Sequence, residues 1–258
     1  GQVAEAARNL ACVGAEPIGL TDCLNFGNPE IPEIMWEFAQ SCKGMGEACR
    51  ALQIPVVSGN VSLYNQTEEV GILPTPGLAM VGLYTGQARK VRGRFQEAGL
   101  RVALLGQPGQ NHLGASLFAR TIHQSRLGSP PPVDYASEQA LHQALRALIA
   151  EGIVQVAHDL SDGGLAVALA ECCLGGVNGQ AMGLVSGGEW STEALFAEDH
   201  GRALVACRPD QVERVNACGV PVCWLGETGG DHLEIGGLSV AVADLEARWQ
   251  DSFPDWAH

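Results

Sequence analysis

Two short stretches hold the residue types best suited to binding a phosphate and its metal. One is Thr21-Asp22-Cys23-Leu24-Asn25-Phe26-Gly27-Asn28-Pro29. The other is Ser58-Gly59-Asn60-Val61-Ser62-Leu63-Tyr64-Asn65. Each combines glycine with carboxylate, amide or hydroxyl oxygens. Glycine lets the backbone approach a phosphate without a Cβ in the way, and Asp and Asn offer hard oxygen ligands of the kind Mg²⁺ takes. Phosphoryl transfer needs a triphosphate and its metal held in line with an acceptor oxygen. Asp22, Gly59, Asn60 and Ser62 have the chemistry for that, but turns use the same residue types, so these two stretches alone leave both readings open.

A second constellation joins distant positions. Glu5 and Asn9, at i and i+4, share a helix face and can direct two oxygens at one cation. Asp159, in Ala157-His158-Asp159-Leu160-Ser161-Asp162-Gly163-Gly164-Leu165, can supply a third from a strand end, with Ser161 beside it. The alternative pairs Glu5 with Arg8 and leaves Asp159 to a turn. His158 is expected to be a packed, hydrogen-bonded residue and His112 to be exposed. Cys23 has no histidine nearby to activate it and reads as a small loop-packing residue.

The elements that position these residues follow from periodicity and punctuation. Val3 to Leu10 are strong helix formers with no cap before them, which suggests a fragment. Pro17–Leu20 and Ile54–Val57 read as strands, each ending in one of the polar loops. Asp22 and Asn60 are 38 positions apart, room for one helix, expected from Pro32 to about Leu52. Thr75–Leu83 reads as a buried strand. A basic run from Arg89 to Arg94, read as a solvated linker, marks the expected domain boundary: 1–88, truncated at its start, then 89–258. Beyond it come a strand over Leu100–Gly106, a polar loop from Gln107 to Ser116 and the stiff spacer Pro130-Pro131-Pro132. A helix capped by Ser137 is expected next, with Leu141, Leu145, Leu148 and Ile149 on its apolar face and Gly152 ending it. A strand over Val154–Ala157 then leads to a helix capped by Asp162 that runs from Gly163 to about Leu174. The pattern is α/β throughout, in two domains.

Composition narrows the class. The chain has 258 residues, 46% hydrophobic and 17% charged, enough for a sizeable core and unlike a disordered chain. No apolar run approaches the roughly 20 residues that span a bilayer, and no signal peptide opens the chain. Nine scattered cysteines without metal-type spacing fit mostly buried thiols in a reducing cytoplasm. The net charge of −14 argues against nucleic-acid or anionic-membrane partners. It is compatible with phosphorylated ligands if Mg²⁺ supplies the positive charge.

Taken together, the two oxygen-rich stretches and Ala157–Leu165 resemble the phosphoribosylformylglycinamidine synthase family, specifically the second half of its synthetase subunit. The resemblance runs from Gly1 to about Arg202. It implies a small ferredoxin-like domain of the aminoimidazole ribonucleotide (AIR) synthetase N-terminal type, followed by a larger AIR-synthetase C-terminal-type α/β domain. It implies that ATP is contacted by Asp22, Gly59 and Ser161, Mg²⁺ by Asn60, and formylglycinamide ribonucleotide by Ser62. In large relatives, positions matching Glu5, Asn9 and Asp159 hold Mg²⁺ around a second, non-catalytic nucleotide. The implied reaction is ATP-dependent formation of the amidine with glutamine-derived ammonia. The general base would lie on the first half, so no catalytic residue is expected here. The implied partners are that first half, a glutamine amidotransferase subunit and a small accessory subunit. Two positions depart from the family pattern: His200, where glutamine is usual, and Ser58, where glycine is commoner.

Overall fold

Val3, Ala4, Ala7 and Ala11 recur at helical spacing and are buried along one side of the first helix, α1 (Gln2–Cys12). The computed structural model of the chain describes residues 1–85, 91–95, 97–125, 127–175 and 181–252. The expected 88/89 boundary and the first part of the basic run lie outside them. After α1 come β1 (Glu16–Asn25), α2 (Pro32–Leu52), β2 (Val56–Ser62), the two-residue strands β3 (Gln66–Thr67) and β4 (Val70–Gly71), and β5 (Thr75–Leu83). Strands β2, β1 and β5 form a sheet in that order. β1 runs parallel to β2, with α2 as the crossover, and antiparallel to β5. Pro32 opens α2 at its first turn, and Gln53 closes it in the left-handed region at φ 59.

One face of this sheet is covered. Leu20, Ala48, Cys49 and Ile54 pack with Val3 and Ala7, joined by Leu78 and Met80 from β5. Ile18, Val57, Val61, Val81 and Leu83 are exposed on the strands. Thr75–Leu83 is therefore a strand as expected but not a buried one. Side chains alternate across a strand, so only Leu78 and Met80 reach the core while Val81 and Leu83 point away from it.

The second part of the chain comprises β6 (Arg101–Gly106), α3 (Leu117–Ile122), α4 (Tyr135–Ala150), β7 (Val154–Asp159), α5 (Gly164–Cys173), β8 (Leu184–Ser186), α6 (Thr192–Phe196), β9 (Arg202–Cys207), α7 (Val212–Asn216), β10 (Val222–Thr228), β11 (His232–Ile235), β12 (Leu238–Ala241) and α8 (Val242–Gln250). Its seven-stranded mixed sheet runs β12-β11-β8-β10-β6-β9-β7. Both faces are covered, and β9 is buried at every position. Leu204 and Ala206 enter a core shared with Leu165, Leu169 and Cys172 of α5. Ala203, Val205 and Cys207 enter another, shared with Leu141, Leu145, Leu148 and Ile149 of α4. The apolar face expected for α4 is thus the observed one. Ala11 and Cys12 join this second core, so α1 packs on both sheets.

Two expected caps are assigned differently. Asp134, not Ser137, caps α4: its Oδ1 accepts from Ala136 N at 3.0 Å and Ser137 N at 3.3 Å, and Ser137 Oγ donates to Oδ2 at 2.7 Å. These bonds hold the Asp134 carboxyl below its ordinary range. Asp162 does not cap α5. The Gly163 N–H at that helix start instead donates to Glu198 Oε1 at 2.8 Å, and the same oxygen accepts from Leu117 N at 2.8 Å, the first residue of α3. Glu198 thereby serves two helix N-termini, where negative charge is favoured.

Candidate functional site

The two polar stretches are not loops at strand ends. Asp22 to Asn25 are the second half of β1, and Gly59 to Ser62 the second half of β2. Backbone pairing brings Asp22 opposite Gly59, Cys23 opposite Asn60, and Asn25 opposite Ser62. A two-strand ladder satisfies the backbone groups that a loop would leave to solvent, which is why these polar residues continue the strands.

Register also divides the constellation. Paired residues point to the same face and successive ones alternate. Asp22 and Gly59 therefore share the α2 side, while Asn60 and Ser62 share the open side with Cys23 and Asn25. Two contacts agree. Burial and then the Asp22 charge push up the thiol of Cys42 on α2, and Asn60 Nδ2 lies 3.7 Å from Cys23 Sγ. Cys23 is exposed, so it is neither in a loop nor packed. Ser62 Oγ donates to Asn65 Oδ1 at 3.2 Å, and Asn65 Nδ2 donates to Phe26 O at 3.1 Å and to Ser62 O at 2.9 Å. Asn65 thereby ties the ends of the two stretches together, a role its position in the sequence did not announce. At Ser58, where glycine was expected, Oγ donates to Thr21 Oγ1 at 2.7 Å.

Gly59 is required by contact rather than by dihedral. A Cβ there would lie 2.6 Å from Asp22 Oδ1 and 2.8 Å from Oδ2. The bare backbone lets the carboxylate lie across β2. Gly59→Ala is expected to leave the fold intact, because a strand accepts alanine, but to turn the Asp22 carboxylate away. Thermal melting checks the first expectation. A crystal structure of the variant, showing where the Asp22 carboxylate lies, checks the second.

The second constellation gathers where α1 meets the end of β7. The Asn9 amide, oriented by its partners, donates to Asp159 Oδ1 at 2.7 Å and Oδ2 at 3.2 Å. Glu5, Ser161 and Asp162 line a cavity of about 320 Å³ together with Arg8, Pro130, Pro131 and Glu198. Burial, together with the charges of Asp159 and Asp162, raises the Glu5 carboxyl against the pull of Arg8. Burial likewise raises Asp159 against Arg8 and His158. Glu5 does not pair with Arg8, whose guanidinium is committed to Glu138 and to Leu160 O. His158 is packed as expected, its Nδ1 2.7 Å from Asp159 O and its Nε2 3.3 Å from Glu171. His112 is half-buried rather than exposed, with Nδ1 enclosed and without a hydrogen bond. His200 lines the same cavity as Glu5, and burial pushes its imidazole down to about 4.

Raised carboxyl pKa values mean that the charged forms are disfavoured by folding, so these groups destabilise the free chain once pH exceeds their folded values. Asp159→Asn is therefore expected to raise the melting temperature of the ligand-free chain at pH 7. That gain should vanish below the ordinary carboxylate range, which melting curves across pH will show.

Hard oxygens with mutually unfavourable charge suit a divalent cation. Among the described residues, no group of three or more His, Cys, Asp or Glu side chains is placed to hold a metal ion. A cation at either constellation would therefore need amide, phosphate or water oxygens in its shell. Also among the described residues, no helix is long and apolar enough to cross a membrane.

Two family models match the chain, one after the other. Residues 2–84 match the AIR synthase related protein N-terminal domain, and residues 97–237 match its C-terminal domain. The chain is 48% identical over 272 residues to the phosphoribosylformylglycinamidine synthase subunit PurL of Anaeromyxobacter sp. (strain Fw109-5), covering 98% of this chain and 35% of that one. It is 45% identical over 264 residues to the subunit of the same name from Mesorhizobium japonicum, with the same coverage. The chain thus spans about a third of the length of these curated relatives. Among solved structures, it superposes on T. maritima PurL complexed with FGAR at a TM-score of 0.69 and 18% identity, covering 95% of this chain and 42% of that one. It superposes on E. coli HypE, a hydrogenase maturation protein, at 0.61 and 19%, covering 93% and 77%. At such identity these structures speak for the fold alone. With both domain models matched in order along its length, the chain belongs to the AIR synthase related protein family.

Proposed function

We propose that this chain is the second-half portion of a phosphoribosylformylglycinamidine synthase synthetase subunit, acting in the cytoplasm in purine biosynthesis. Its two units are 1–88 and 89–258. The observation that carries the proposal is the facing pair of strands bearing Asp22-Gly59 on one side and Asn60-Ser62 on the other, in a chain 48% identical to a PurL subunit over nearly its whole length.

In this reading ATP wraps the free edge of β2, meeting Asp22 and the bare backbone at Gly59 on the α2 side, while Asn60 would hold its Mg²⁺ on the open side. Ser62, oriented by Asn65, hydrogen-bonds formylglycinamide ribonucleotide. Bound Mg²⁺ neutralises phosphate charge. The substrate amide oxygen takes the γ-phosphoryl group and ADP leaves. Ammonia, released from glutamine by a separate amidotransferase subunit, then adds at the activated carbon. A proton is lost and the C–O bond breaks with release of phosphate, leaving the amidine. The general base belongs to the first half of the synthetase, which pairs with this chain, and a small accessory subunit completes the assembly. Glu5, Asn9, Asp159 and Ser161 form a second, structural Mg²⁺–nucleotide site.

Calorimetry of the chain with ATP and ADP, with and without Mg²⁺, tests the second site. Magnesium-dependent binding that disappears in Asp159→Ala supports it, whereas its absence in the wild type removes it. The chain alone is expected to be inactive. Conversion of the ribonucleotide with ammonia by this chain by itself would contradict the division of labour.

A further inference from the structure

The Glu5–Asn9–Asp159 cluster rests on a buried network that none of its own residues belongs to. Arg8 sits on α1 between Glu5 and Asn9 and is 1% exposed. Its Nη1 donates to Glu138 Oε1 at 2.6 Å, and its Nη2 donates to Leu160 O at 3.0 Å. Leu160 lies between Asp159 and Ser161. One guanidinium therefore grips the backbone that carries two of the site's residues, from the helix that carries the other two. Glu138, near the start of α4, is fully buried, and its second oxygen is 3.1 Å from His142 Nε2. With both carboxylate oxygens engaged, the Arg8 guanidinium has a fixed position rather than the freedom of a surface arginine.

We propose that Glu138 is a positioning residue for the magnesium–nucleotide site: through Arg8 it fixes the spacing between α1 and the Asp159–Ser161 turn at which Glu5, Asn9 and Asp159 can share one cation. This deepens, and rests on, the reading of that cluster as a structural nucleotide site. A metal takes up ligands at defined separations, and groups that orient ligands without touching the metal commonly change its affinity about 10–100-fold. Neither Arg8 nor Glu138 needs to touch the nucleotide for this to hold. Arg8 also places its positive charge close enough to act on both Glu5 and Asp159, favouring the charged form of each against burial.

The test must separate positioning from folding. Removing one member of a buried ion pair destabilises a protein, but replacing both by apolar residues of similar size often does not. We would measure ADP affinity by calorimetry at a series of Mg²⁺ concentrations for the wild-type chain and for the double variant Arg8→Met/Glu138→Leu. Thermal melting reports on the fold. The expected result is a folded double variant whose ADP binding needs at least about tenfold more Mg²⁺. Arg8→Lys keeps the charge but loses the two-pronged grip and is expected to shift the Mg²⁺ requirement in the same direction. It decides the question if the double variant does not fold. An unaltered Mg²⁺ requirement in a folded variant would overturn the positioning role while leaving the site in place. No Mg²⁺-dependent binding by the wild type would overturn the site and, with it, this inference.

Discussion

An Asn60→Ala substitution in a full-length PurL relative carrying this chain as its corresponding third is expected to lower ammonia-dependent kcat about 10²–10³-fold. That is the scale of losing one preorganised group at a phosphoryl-transfer or oxyanion site. The argument is positional. Asn60 is exposed on β2, and among the described residues its amide makes no bond stronger than the 3.7 Å contact with Cys23 Sγ. A side chain that contributes so little to folding is available to a ligand. Stability should therefore hardly change, and the loss should deepen as Mg²⁺ is lowered. Asp22→Ala acts from the other face of the same strands and is expected to raise the KM for ATP. Initial rates across ATP and Mg²⁺ concentrations separate the two. Unchanged turnover in both variants would mean that the pair are ordinary strand residues.

Glu138→Ala carries the largest expected cost in stability. Glu138 is fully buried and Arg8 is 1% exposed. Removing the carboxylate strands a buried guanidinium, a loss of about 3–5 kcal/mol, or roughly 10 °C in melting temperature for a chain of this size. Burial alone would push the Glu138 carboxyl up, but the hydrogen bond with His142 and the Arg8 charge bring it below its ordinary value. A depressed folded pKa stabilises above the ordinary carboxylate range and stops doing so as pH falls through the folded value. The gap between wild type and variant should therefore close on acidification, which melting curves at neutral and acid pH will show. A gap independent of pH would place the cost in packing instead.

These two residues mark what the sequence revealed and what it hid. Asn60 stood out because amide, glycine and hydroxyl residues cluster around it, and the clusters sit after apolar runs. The helix at Pro32–Leu52 and the apolar face of α4 were legible for the same reason: proline, glycine and periodicity act locally. The division of Asp22-Gly59 from Asn60-Ser62 was not legible, since it depends on the strands continuing through the polar stretches, and only the ladder between β1 and β2 determines that. Glu138 reads locally as an acidic residue in a helix's first turn, where it would suit the helix dipole. Its burial depends on Arg8, 130 positions away. Glu198 reads locally as one acidic residue among many, yet its service to two helix starts joins segments 35 and 81 positions distant. The exposed aliphatics of β5 misled for a further reason. Hydrophobicity reports that a face can be buried, not that this chain supplies its cover.

The most direct measurement is reconstitution. This chain would be mixed with the remaining two-thirds of a PurL relative and supplied with ATP, Mg²⁺, ammonia and formylglycinamide ribonucleotide, with phosphate release and amidine formation followed together. We expect one amidine per phosphate, seen only with both parts present and abolished by Asp22→Ala with Asn60→Ala. Phosphate release and amidine formation that do not require this chain, or that survive the double substitution, would contradict the assignment of the ATP- and substrate-binding strands to it.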